Sequence, residues 1–274
     1  MQRRQVLTIL TLGTTLITPA LVSAQSSDFD HSYAQWDRLL KAHVKWLPDG
    51  KQTRVDYHGF AAQRAILHKV LAQWSAITPL TFSAFTSEQR LAFMVNAYNG
   101  FTVELILTKY PNIKSIKDLG SLLSSAWKNK FFTLLGEPHH LDWIENDQLR
   151  PKFNDPRVHT AINCASIGCP ALRSEAFTAI ALNAQLADGM LRFMGDRTRN
   201  RFNAAANRLE VSSIFKWFRE DFEKGDKGFT RLEDVFATYA NQLTDDTSGR
   251  AKLAAKTVDI VFLDYDWSLN DVGR

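Results

Sequence analysis

Between Ser87 and Lys109 runs a stretch that is apolar on every side, with Leu91, Phe93, Met94, Val95, Phe101, Val103, Leu105, Ile106 and Leu107. Thr86, followed three residues later by Gln89, is a capping-box signature that opens a helix there, and Pro111 closes it. A helix that is apolar all round belongs inside a fold, so the rest of the chain has to wrap it. Asn96 and Asn99 lie three residues apart on one face of that helix and are conspicuous in such company. Two amides there either face a substrate or the cysteine loop, or satisfy buried backbone groups internally.

The wrapping elements are mostly helical. Phe29, Tyr33, Trp36, Leu39, Leu40 and Val44 follow helical spacing, and Pro48-Asp49-Gly50 ends that element with a turn. Val55-Asp56-Tyr57 reads as a short strand, and a second amphipathic helix spans about 61–77 before Pro79. Phe131 to Leu135, a Gly136-Glu137-Pro138 turn and His139 to Leu141 form a hairpin pattern. Trp143 to Arg150 reads as a short helix with Asp142 as N-cap and Pro151 as stop, and Val158 to Asn163 as a strand. Thr178 caps a helix to about Met194, Val211 to Phe222 makes another, and Asp245 to Gly249 is loop-like. The tail Val261-Phe262-Leu263-Asp264-Tyr265-Asp266-Trp267 is strand-like. These patterns predict an α+β fold, a helix-rich single domain with a small sheet over residues 25–274.

The first 24 residues read as an export signal. Arg3 and Arg4 precede an apolar stretch from Val6 to about Leu21, and Val22-Ser23-Ala24 offers a small-residue cleavage site. The arginine pair fits either a twin-arginine signal or an ordinary basic leader. Thr, Gly13 and Pro19 interrupt the stretch, which makes it a poor membrane span, so a periplasmic or secreted protein without stable membrane insertion is expected. The chain holds 33 basic and 29 acidic residues, and loss of Arg3 and Arg4 brings the net charge from +4 to +2. A balance so near zero does not point to nucleic acid or an anionic surface as partner.

Both cysteines of the chain fall in Val158-His159-Thr160-Ala161-Ile162-Asn163-Cys164-Ala165-Ser166-Ile167-Gly168-Cys169-Pro170. A thiolate is a strong nucleophile and a neutral imidazole suits its generation near neutral pH, so Cys164 with His159 is a candidate thiol site. On one extended strand the two would stand about 16 Å apart on opposite faces at ~3.3 Å per residue. Their pairing therefore requires the chain to turn back, which Ser166, Gly168 and Pro170 permit. The same cysteines equally suit a Cys164–Cys169 disulfide in an oxidising compartment. Glu145 is the nearest acid to orient the histidine, although Asp142-Trp143-Ile144-Glu145 also reads as a capping box. Arg150 and Arg173 flank the segment and are candidates to grip a carboxylate, or to pair structurally. Two cysteines are too few for a multi-cysteine metal site, and no cofactor or metal is implied.

Four motifs taken together resemble one family: Met94-Val95-Asn96-Ala97-Tyr98-Asn99, Trp143-Ile144-Glu145-Asn146 with Leu149-Arg150, the cysteine segment, and Leu263-Asp264-Tyr265-Asp266-Trp267-Ser268-Leu269-Asn270. It is the family catalogued as domain of unknown function 547, and the resemblance runs from about Asp28 to Asn270. It implies a helix-rich fold distantly related to papain-like or transglutaminase-like thiol enzymes. By position, it implies Cys164 as nucleophile with His159 and Glu145, since the first cysteine is the fixed one of the family pattern. The family often has Glu-His where this chain has Glu145-Asn146.

The function these features indicate is an exported thiol hydrolase or acyltransferase acting on a small-molecule or peptide-like amide. Asn96 or the backbone N–H groups of Ala165 to Gly168 are the oxyanion donors in that reading, and Asn96, Asn99, Arg150 and Arg173 the substrate-binding set. The alternatives are a non-enzymatic envelope binding protein with a structural Cys164–Cys169 disulfide, or a thiol redox partner. Nothing in the pattern specifies an oligomeric state.

Overall fold

Helix α5, Ser87–Leu107, opens with the capping box read from sequence: Thr86 Oγ1 accepts from Gln89 N at 3.2 Å and Gln89 Oε1 accepts from Thr86 N at 2.8 Å. A computed structural model describes residues 29–121, 125–225 and 228–273 of the chain. Residues 1–24, read from sequence as an export signal, lie outside the described residues. From Leu91 to Leu107 every residue of α5 except Glu104 is buried. Burial of each large apolar side chain on it is worth roughly 1.5–3 kcal/mol, which makes α5 the axis on which the other elements assemble.

N-terminal to it come α1 (Ala34–His43), β1 (Val44–Trp46), β2 (Thr53–Val55), α2 (Tyr57–Ala62), α3 (Arg64–Ser75) and α4 (Pro79–Ser83). The strands β1 and β2 pair antiparallel with Val44 opposite Val55. The chain thus turns into a strand at Val44 where helical spacing predicted continuation. Asp56 is an N-cap rather than a strand residue, its carboxylate accepting from Gly59 N at 2.8 Å. The helix expected over 61–77 is two helices, α2 and α3. Gly100 lets α3 approach α5 closely, since a Cβ there would meet the Trp74 ring at 2.7 Å.

After α5 a hairpin pairs β3 (Phe132–Leu134) with β4 (Glu137–His139), with Leu134 opposite Glu137. Its turn is therefore Leu135-Gly136, and Pro138 lies in the strand. Trp143–Leu149 is a π-helix that runs into the short α6 (Arg150–Lys152), so Pro151 sits within the helical segment instead of ending it. Pro156–Thr160 is a 3-10 helix, not the strand expected from Val158 to Asn163.

Helix α7 (Leu182–Gly195) leads to β5 (Arg201–Asn203) and β6 (Arg208–Ser212), then α8 (Ile214–Trp217), α9 (Arg219–Glu223), α10 (Leu232–Thr238), α11 (Ala240–Leu243), α12 (Thr247–Ala254) and β7 (Asp259–Leu263). The helix expected from Val211 to Phe222 begins as a strand and then breaks into α8 and α9. The stretch read as a loop at Asp245 to Gly249 starts α12, where Asp246 accepts from Ser248 N and Gly249 N. In the three-stranded sheet β5 and β6 are antiparallel, while β7 joins β6 in parallel with Val211 beside Phe262. The fold is α+β, as the patterning indicated.

Two hydrophobic clusters organise these elements. The larger surrounds α5; the smaller gathers Met190, Phe193, Phe215, Phe222, Val235 and Phe236 between α7, the sheet and helices α8 to α12. Residues from both clusters wall the cavity described next. No helix among the described residues is long and apolar enough to cross a membrane.

Candidate active site

Buried amides build the cysteine loop. Asn99 Nδ2 donates to the Ala161 carbonyl at 2.9 Å, and its Oδ1 accepts from Asn163 N at 2.9 Å. Asn163 in turn donates to the Pro170 carbonyl at 2.7 Å and accepts from Ala165 N at 2.9 Å and from Asn270 Nδ2 at 3.2 Å. These contacts hold Ala165 at a φ of 62°, a left-handed conformation that a non-glycine residue adopts only when its surroundings enforce it. The chain turns back there, and Cys164 and Cys169 are joined in a disulfide. Gln52 Nε2 donates to the carbonyls of Ile167 and Cys169, both at 3.0 Å, and Arg199 also donates to both.

Tyr265, which follows β7, places its hydroxyl 3.1 Å from each sulfur. The sulfurs of a disulfide carry no proton, so the phenol donates. Burial pushes the Tyr265 hydroxyl well above the ordinary phenol range, which keeps its proton in place. The ring lies on Gly168, where a Cβ would come within 2.9 Å of it.

His159 sits on the 3-10 helix with its imidazole almost wholly buried and stacked on Phe218, ring centroids 4.0 Å apart. Its Nε2 is 2.8 Å from Asp221 Oδ2. Burial pushes the Asp221 carboxyl up, but hydrogen bonds from His159, Arg150 and Lys224 outweigh it and hold the group well below the usual carboxylate range. An ionised Asp221 requires the proton on Nε2, leaving the lone pair of a neutral ring on Nδ1. Burial also pulls the imidazole below its ordinary value, against the opposing pull of Asp221, which favours that neutral form. Nδ1 is buried and has no hydrogen-bond partner; Glu145 Oε1 lies 3.9 Å away. Burial, reinforced by the charge of Asp142, pushes the Glu145 carboxyl up to about 7.

Cys164, Cys169, His159 and Glu145 line one cavity of about 250 Å³. Its walls include six aromatic residues, Tyr98, Trp127, Trp217, Phe218, Tyr265 and Trp267, beside the polar Ser125, Asp142 and Asn146. Among the described residues no group of three or more His, Cys, Asp or Glu side chains is arranged to hold a metal ion.

Several sequence-predicted site residues lie elsewhere. Asn96 and Asn99 are buried and spent on backbone, Asn96 bonding the Phe177 carbonyl and N–H at 2.8 and 3.0 Å, and neither lines the cavity. Arg150 is engaged by Asp221 and by Asn146 Oδ1. Arg173 pairs with Glu175 at 2.7 Å and Asp188 at 2.5 Å. Three of the N–H groups proposed as oxyanion donors, those of Ala165, Ile167 and Gly168, bond within the protein. Glu145 is not a capping residue: Asp142 is itself in helical conformation, makes no cap bond and accepts instead from Asn146 Nδ2 at 2.7 Å. The hydrogen bond that fixes the ring comes from Asp221 at Nε2, while Glu145 Oε1 lies 3.9 Å from Nδ1.

Asp221 was not anticipated. Its signal lay in its own helix face, where it falls three residues after Phe218 and one before Phe222, a carboxylate set among the aromatic residues that pack on His159.

Site and fold together define a helix-rich α+β protein whose aromatic-walled cavity brings a cysteine pair beside an Asp-fixed imidazole. Residues 82–194 match the model of the family described as "Protein of unknown function, DUF547", and this stretch of the chain belongs to that family. It carries α5, Glu145, His159 and both cysteines, whereas Asp221 and Tyr265 lie beyond it. No curated protein and no solved structure matches the chain.

Proposed function

We propose that the cavity is a thiol acyl-transfer site whose nucleophile is Cys164 in the reduced protein, acting on an amide or peptide-like substrate after export. The observation that carries this reading is the imidazole: Asp221 fixes Nε2 and leaves an unpartnered Nδ1 lone pair in a ring that lines the same cavity as Cys164. In this mechanism a dithiol reductant first opens the disulfide. His159 Nδ1 then takes the Cys164 proton, and the thiolate attacks the substrate carbonyl. A C–S bond forms as the C–N bond breaks, and the imidazolium returns its proton to the departing amine. Water or a second amine, deprotonated by the same nitrogen, releases the acyl group and restores the thiol.

The second reading is a binding protein in which the disulfide is a permanent clamp, favoured by the absence of a free cysteine among the described residues. One experiment separates the two. Reduced protein is exposed to p-nitrophenyl acetate and to a panel of peptide amides, and its intact mass is followed. An acyl adduct on Cys164 that disappears in Cys164→Ser supports acyl transfer. Reduced, folded protein that stays unmodified supports the clamp.

A further inference from the structure

The two sulfurs of the disulfide are not equivalent. Cys169 is buried, 2% exposed, whereas Cys164 is partly open to the cavity. The Cys169 sulfur also receives a hydrogen bond from the Cys164 N–H at 2.8 Å. The Tyr265 hydroxyl stands 3.1 Å from both sulfurs, so the asymmetry comes from burial and from this backbone N–H, and the phenol is in reach of whichever sulfur departs. The residue itself is pinned: its N–H donates to the Ser166 carbonyl at 3.1 Å, and its carbonyl accepts from Gln52 and Arg199.

These contacts are what a leaving thiolate requires. In thiol–disulfide exchange the attacking thiolate must reach one sulfur, while the rate depends on how well the other carries negative charge. Donors already aimed at that sulfur strengthen as charge develops, because a hydrogen bond to an ionised acceptor is roughly twice as strong as a neutral one. They need no rearrangement at the moment of cleavage, in the way preformed donors stabilise an oxyanion.

We propose that the protein undergoes directional thiol–disulfide exchange: an external thiol attacks Cys164, Cys169 departs as thiolate, and Tyr265 is the positioning residue that stabilises it. The incoming thiolate forms a new S–S bond with Cys164 Sγ as the Cys164–Cys169 bond breaks, and the electron pair moves to Cys169 Sγ. A second thiolate then attacks the external sulfur of this mixed disulfide and releases Cys164. In sum the protein disulfide gains two electrons and two thiols are oxidised to a disulfide. The direction follows from the loop and does not depend on whether acyl transfer occurs.

The test uses full-length oxidised protein, reduced glutathione in excess, acid quenching at short times and mass-spectrometric mapping after alkylation. Glutathione on Cys164 together with an alkylated Cys169 is the expected pattern. Glutathione on Cys169, an even division, or a disulfide inert to glutathione would each overturn the proposal. Tyr265→Phe, checked for an unchanged melting curve, should form the mixed disulfide about ten-fold more slowly, the size expected for losing one hydrogen bond to a charged sulfur. A parallel Tyr265→Leu protein should be equally slow, since it too has no hydrogen-bond donor there. Wild-type rates in both variants would remove Tyr265 from the mechanism, and the wild-type mapping stands even if neither variant folds. Because a phosphine cleaves a glutathione mixed disulfide and leaves an acyl thioester intact, failure here and failure of acyl transfer give different signals.

Discussion

Buried polar groups occupy two neighbouring regions of this protein with opposite consequences. Around the cysteine loop Asn96, Asn99 and Asn163 pair both ends of each amide with backbone groups. A few residues away, at the cavity wall, His159 keeps a buried nitrogen without a partner and Glu145 is a carboxyl pushed up to about 7. Saturated groups hold a shape, and unsaturated ones retain free energy that a ligand or a proton can release. Sequence could not sort them, because an asparagine on an apolar helix and a histidine before a cysteine both register as polar residues out of place.

Substitutions on the two sides should separate accordingly. The largest effect is expected at His159→Gln, which keeps a donor for Asp221 but removes the base: acyl transfer to reduced Cys164 should fall by roughly 10⁴-fold with little change in melting temperature. Comparable loss of stability and of acylation would place His159 with the structural set instead. Asn99→Leu should do the reverse. It strands the Ala161 carbonyl and the Asn163 N–H, each worth about 1–3 kcal/mol when buried unpaired, so urea denaturation should show a loss of about 4 kcal/mol. A loss below about 1 kcal/mol would mean that the amide is not holding the loop.

Glu145→Gln sharpens the comparison through pH. The folded carboxyl titrates near 7 and the unfolded one near 4.5, so the folded state resists ionisation. Stability from this group is complete below about pH 4 and declines as pH rises through 7. The variant should therefore match wild type at pH 4 and exceed it at pH 8 by roughly 3 kcal/mol, at about 1.4 kcal/mol per unit. Denaturation curves at the two pH values check this, and a pH-independent difference would contradict it. The smallest effect is expected at Gly168→Ala, whose methyl meets the Tyr265 ring. A stability change near 1 kcal/mol is expected together with slower reduction of the disulfide, and an unchanged reduction rate would show that the ring position is immaterial.

What the sequence disclosed followed the range of its signals. Helix α5 was legible because its cap, its apolar residues and its terminal proline are all local, and Cys164, Cys169 and His159 were legible because they sit within one short loop. The segment from Asp142 to Asn163 misled. A D-x-x-E pattern can cap only if the first residue is non-helical, and Asp142 has φ −58° and ψ −34°. Val158 to Asn163 has strand-like composition, but Asp155 and Pro156 start a 3-10 turn, with Asp155 Oδ1 accepting from Arg157 N at 3.0 Å. Asp221 reaches His159 across 62 positions of sequence, and the aromatic neighbours that mark it as unusual on its own helix do not name so distant a partner.

The most direct measurement is the rate of Cys164 alkylation by iodoacetamide as a function of pH in the reduced protein, mapped by mass spectrometry, for wild type and His159→Gln. If His159 activates the thiol, the wild-type rate is half-maximal well below 8.5, the ordinary value for a free cysteine, and the variant returns to about 8.5. Two superimposed curves centred near 8.5 would contradict the assignment of this cavity as a thiol site.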